Sequence, residues 1–198
     1  MVAACLSDAN SIGIVAGKPV EEVYRLVNAF IQGVKEMKED AIVTTEFIDS
    51  WYDPEIAFRK AKDLIKNHKV DVLYAERDGV IEACRGTQPN GKKVYAIGNF
   101  KNHSDSDPDV VVTNVIWNME PTVRYVIQRT QQETYEAENL GDWSRMYHGG
   151  SKLQPFPLEE RWIDKIGKSN WDKICQREDQ IIKGRFRVKI NESPLHSK

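Results

Sequence analysis

The run SIGIVAGKPVEEVYRLVNAFIQGVK, residues 11–35, decides the fold class. Ile12 to Ala16 is a compact apolar run rich in β-branched residues, which reads as a buried strand. Pro19 then opens a helix whose apolar residues Val23, Leu26, Val27, Phe30, Ile31 and Val34 recur at helical spacing. Together they make a first β-α unit, and the same alternation continues outward. Ile42 to Ile48 is a second strand, and the segment after Pro54 carries Ile56, Ala57, Ala61, Leu64 and Ile65 on one helical face. Val70 to Ala75 is a third strand, followed by a helix from about Val80 to Arg85. Strands at Val94 to Ile97 and Val110 to Trp117, a helix from about Pro121 to Glu138 and a short strand at Arg145 to His148 come next. From Lys152 onward a Pro-rich connection leads to helical segments near Leu158 to Ile166 and Trp171 to Lys183. Strands alternating with helices imply right-handed crossovers and a mainly parallel sheet covered on both faces, a three-layer α/β/α sandwich.

Composition agrees with one such unit. The chain has 198 residues, 40% of them hydrophobic, enough for a single core of ordinary size. Twenty-eight basic and 30 acidic side chains leave a formal net charge of -2, so no electrostatic pull toward phosphate backbones follows and nucleic acid is not an expected partner. Cys5, Cys84 and Cys175 are odd in number and far apart, without the paired spacing of a zinc site. No apolar run reaches the roughly 20 residues needed to span a bilayer. Val2-Ala3-Ala4-Cys5 has the small residues that precede a lipidated cysteine, but only Met1 stands before it, and an export signal needs a charged region and a longer apolar stretch.

In open parallel sheets ligands bind beyond the carboxyl ends of the strands. The loops there hold Gly17-Lys18-Pro19, Asp49 to Pro54, Glu76 to Gly79, Gly98-Asn99-Phe100, Trp117 to Glu120 and His148 to Lys152. Trp, Asp, Asn and Lys gathered at one sheet edge suit a planar, polar ligand.

The residues 11–35, followed by DSWYDP (49–54), VDVLYAERDG (70–79), KVYAIGN (93–99), TNVIWN (113–118) and HGGSK (148–152), are similar in order and spacing to the C-terminal half of the basic membrane protein (BMP) family. The resemblance covers residues 1–184 and leaves 185–198 as a tail; MVAACLSDANSIGIV looks like the helix that precedes the family's strand, which implies that the first lobe lies outside this sequence. Family members are type I periplasmic-binding folds whose two lobes close on a purine nucleoside or purine base. The resemblance therefore implies a substrate-binding protein of an ABC transporter, extracytoplasmic and membrane-associated, working with a permease, with no cofactor and no catalysis.

Carried over residue by residue, Trp51 matches the aromatic that packs on the base, with a half-buried loop residue as the plainer alternative. Asp78 matches the acidic residue after the third strand, or caps the next helix. Arg77 stands where the family more often has a small polar residue. Asn118 lies where relatives carry Asn or Asp, and is also a natural cap. Lys152 fits the lysine of a glycine-rich turn that resembles a ribose-hydroxyl donor; Leu153 and Gln154 replace the usual acid and glycine, and a solvated lysine is the alternative.

Catalysis has little to stand on, because His68, His103, His148 and His196 are dispersed and no GxSxG, HExxH or phosphate-loop motif is present. Asp105, Asp107 and Asp109 lack the downstream Glu of a calcium loop. A rival to transport is a regulatory or interaction protein derived from the same fold. One lobe offers half a cleft, so the other half comes from a partner chain or a homodimer.

Overall fold

The computed structural model describes residues 1–86 and 91–195. Its elements are α1 (Val2–Leu6), β1 (Ser11–Ala16), α2 (Glu21–Met37), β2 (Ile42–Phe47), α3 (Pro54–Asn67), β3 (Val72–Ala75), α4 (Val80–Cys84), β4 (Tyr95–Phe100), β5 (Val111–Trp117), α5 (Glu120–Gln131), β6 (Ser151–Gln154), α6 (Glu160–Ile166) and α7 (Lys168–Ile182). The six strands form one sheet in the order β2-β1-β3-β4-β5-β6, parallel except for β6.

The sheet separates two cores, as the strand period of two requires. Ile12, Ile14 and Ala16 of β1, with Val72 and Tyr74 of β3, face α1, α2, α6 and α7. Val15 of β1, with Leu73 and Ala75 of β3, faces α3 and α4. Gly13 sits on that second face, where a Cβ would stand 3.0 Å from both Leu73 and Val70, so its bare backbone admits the close approach of α3. Strand β1 is buried at all six positions, the signature of a strand covered on both faces. The expected three-layer α/β/α sandwich is what the chain builds.

Two expectations need correction. Arg145 to His148 is not a strand: Leu140–Ser144 and Met146–His148 are single 3-10 turns, and the last strand is Ser151–Gln154. Gly149 takes φ 76, and a Cβ on Gly150 would collide with the Trp143 carbonyl at 2.0 Å. The glycine pair thus reverses the chain against its own turn and sends β6 back antiparallel to β5. Helix α5 ends at Gln131, short of Glu138, because Glu133 turns left-handed at φ 59 and Thr134 N donates to Arg129 O. Residues 183–195, after α7, form no helix or strand and return over α2, where Asn28 Nδ2 donates to the carbonyls of Asn191 (3.0 Å) and Ser193 (3.1 Å).

Candidate functional site

With strand order 2-1-3-4-5, the chain leaves β1 toward one side of the sheet and β3 toward the other, which opens a crevice beyond their carboxyl ends. A cavity of about 120 Å³ lies at this edge, lined from the loops after β2 and β3 and from the end of β4 with its loop by Trp51, Asp53, Glu76, Arg77, Asp78, Asn99, Phe100 and His103 among others. That is below the roughly 300 Å³ at which drug-sized pockets begin.

Its floor is polar and buried. Glu76, the first residue past β3, is 1% exposed, and its Oε2 accepts a hydrogen bond from Gly17 N at 2.9 Å across the β1–β3 gap. Burial pushes its carboxyl above the usual range, against the opposing pull of Arg77 and of the Gly17 hydrogen bond. Among the described residues Glu76 Oε1 has no hydrogen-bond partner, nor does either amide atom of Asn99, which is 2% exposed. Orphaned polar atoms of this kind cost about 1–3 kcal/mol each unless something satisfies them, so their gathering at a cavity is informative. His103 has its imidazole held below the ordinary range, chiefly by burial and then by Lys101.

The walls follow from local turn chemistry. Asp53 Oδ1 caps α3 by accepting from Ile56 N at 2.9 Å, with Pro54 in the first turn, and this sets Trp51 at the rim, 46% exposed. Gly79 adopts φ 94 and passes so close to Pro54 O that a Cβ would stand 2.1 Å away. Only glycine joins the two loops in this way. Phe100 is held at φ 67, and its ring lies 5.1 Å from that of Trp117. Beneath, fully buried Asn114 donates from Nδ2 to Asn102 Oδ1, Ser104 Oγ and Gln154 O, and accepts from His103 N, pinning the loop after β4.

The structure brings together two of the four residues singled out by sequence. Trp51 and Asp78 line the cavity. Asp78 is exposed there and does not cap α4, whose N-cap is Gly79. Asn118 and Lys152 stand at the same sheet edge but beyond β4, outside the cavity. Asn118 is engaged at both ends of its amide, donating to Gly149 O at 3.0 Å and accepting from Glu120 N at 3.1 Å, while Lys152 is solvent-exposed on β6 opposite Ile116. Glu76 and Asn99 had no sequence signal beyond their place just after, or at the end of, an apolar strand. The acidic loop is occupied by cations: Arg85 engages Asp107 at 2.6 Å and 3.0 Å, and Arg161 engages Asp109 at 2.9 Å.

Comparison with known proteins gives this geometry a setting. A family described as Bmp, ABC transporter substrate-binding protein PnrA-like, matches residues 1–154. The chain belongs to the Bmp family. Among curated relatives, this Bmp chain is 23% identical over 177 residues to a Haloferax volcanii protein named as a glucose-binding component of an ABC transporter, covering 89% of the chain and 42% of that protein. It is 28% identical over 177 residues to a purine-binding protein of Brucella abortus, covering 88% and 48% respectively. The chain thus spans less than half the length of these curated relatives. Among solved structures, a transcriptional activator of the comK gene from Bacillus halodurans superposes with a TM-score of 0.73 at 21% identity, over 93% of this chain and 60% of that one. The fold of the Bmp family therefore serves solute binding and, elsewhere, transcriptional control.

Proposed function

We propose that this chain is the ligand-facing lobe of a purine receptor, taking a purine nucleoside or base at the cavity lined by the loops after β2, β3 and β4, without chemical change. The observation that supports this reading is the pairing of a rim indole with buried polar atoms that have no hydrogen-bond partner among the described residues: Trp51 lines the same cavity as Glu76, whose Oε1 is unpaired, and Asn99, whose amide is unpaired. A heteroaromatic base stacks on the first and hydrogen-bonds to the second, whereas an apolar ligand leaves the floor unsatisfied. Asp78 at the mouth accepts from sugar or base N–H and O–H groups. Asn118 and Lys152 belong to the same edge and meet a nucleoside only where the opposing wall of the cleft, from a second lobe or a second copy of the chain, closes over it. In the transport reading an ABC permease is the partner and the site works outside the cytoplasm.

A regulatory reading is the second, supported by the likeness to the comK activator and by α5, which buries none of its residues and leaves Val123 and Ile127 exposed beside Met119. Thermal shift with adenosine, guanosine, their free bases and glucose separates the possibilities, since a ligand of the folded state raises stability by RT ln(1 + [L]/Kd). The purine reading expects a dose-dependent rise with at least one purine and none with glucose. A response to glucose alone reassigns the solute. Silence toward all of them, together with a stable dimer in sedimentation, favours the regulatory protein.

A further inference from the structure

Arg77 lies where a planar ligand would lie. Its Cζ is 5.4 Å from the centre of the Trp51 ring and 5.6 Å from that of Phe100. Its Nε stands 2.9 Å from Glu76 Oε2, an ion pair in which the N–H is not aligned on the oxygen. The guanidinium also rests against the backbone of Gly17, where a Cβ would come within 2.5 Å of Nε and 2.8 Å of Nη2. The side chain is only 15% exposed, although arginines on loops are ordinarily solvated. A guanidinium is planar, weakly hydrated and stacks on aromatic faces, so it meets the demands of this slot as a flat ligand does.

We propose that Arg77 is the site's internal occupant: its guanidinium fills the slot between Trp51 and Phe100, a planar ligand stacks on Trp51 only after that group has left, and Arg77 thereby sets affinity and selectivity. The proposal rests on the Trp51 crevice being the binding site. Displacing Arg77 strips buried Glu76 of its cation, which is costly unless the newcomer compensates. Ligands that bring N–H donors in the plane of the ring restore what is lost, and ligands with acceptors alone do not.

Two variants and two kinds of probe test this. Arg77→Ala leaves a space of guanidinium shape beside Glu76; Gly17→Ala keeps the arginine but places a methyl where its head group lies. Methylguanidinium at millimolar concentration is expected to raise the melting temperature of Arg77→Ala and not that of the parent. Guanosine, by calorimetry, is expected to bind both variants about tenfold or more tighter than the parent, because the competent state no longer has to be vacated first. An Arg77→Ala protein indifferent to methylguanidinium, or a guanosine Kd unchanged in both variants, overturns the proposal. Should Arg77→Ala not fold, Gly17→Ala decides alone: in the parent the Arg77 Hε resonance is expected to be shifted by the aromatic ring currents, and in Gly17→Ala to return toward that of a free arginine. Methylguanidinium rescue without purine binding to any of the three proteins upholds the internal occupant and removes the purine reading.

Discussion

The two halves of the sheet's carboxyl edge are built on opposite terms. At the ends of β3 and β4 polar groups stay open: Glu76 Oε1 and the Asn99 amide are buried without hydrogen-bond partners among the described residues, beside a cavity with an indole at its rim. Beyond β5 the amide of Asn118 is tied to Gly149 and Glu120, and within β5 that of Asn114 is spent on four neighbours. Unsatisfied buried polar groups oppose folding, so the first half carries a cost that the second avoids. The lesson is that the same residue types, Asn and acidic side chains, mark a site in one place and a scaffold in the other. What separates them is whether the hydrogen bonds are already used.

This contrast yields graded expectations. Asn114→Ala removes a fully bonded buried amide and strands Ser104 Oγ, Gln154 O and His103 N, so a loss of about 2–4 kcal/mol is expected in urea unfolding. A loss below 1 kcal/mol would erase the distinction. In the open half Trp51→Ala is expected to weaken purine binding by about 1–3 kcal/mol in calorimetry while leaving the unfolding midpoint nearly unchanged. Asn118→Ala should do the reverse, costing about 1 kcal/mol of stability and sparing the purine Kd.

The Glu76 carboxyl gives a test in pH. Its folded value is raised above the unfolded value of 4.5, chiefly by burial, so its contribution to stability is fully present below 4.5 and is lost as pH rises through the folded value. Glu76→Gln removes that dependence. Its urea midpoint relative to the parent is expected to improve as pH rises from 4 toward 7, and a difference that stays constant would show that Arg77 and Gly17 fully offset the burial. The smallest effect expected is for Lys152→Ala, within about 0.5 kcal/mol of the parent in thermal unfolding, since the side chain is solvated.

Much of the molecule was legible along the chain. The turn Asp53-Pro54 announced α3, the spacing of Val23, Val27 and Val34 announced the buried face of α2, and the runs at Ile12 and Val70 announced central strands. Trp51 and Asp78 are legible at the ligand edge because each lies a few residues beyond the end of a strand. Asn118 and Lys152 also stand at that edge, but position along one strand carries no information on lateral distance across the sheet. Arg145 to His148 has the local pattern of a strand but forms a 3-10 turn, because the packing of Gly150 against the Trp143 carbonyl leaves no local trace.

Period and turn chemistry are local properties, and so the sequence by itself determined most of the element types, the parallel part of the sheet and the family resemblance. Only the tertiary structure decided which loops meet. Gly17 and Glu76 are 59 residues apart and touch only because β3 returns beside β1. That adjacency buries Glu76 and brings Arg77 against both Trp51 and Phe100, while the side-chain amide of Asn99 has no partner among the described residues. Whether a polar group is spent or open is a property of its neighbours in space, and those are set by strand order rather than by any run of residues.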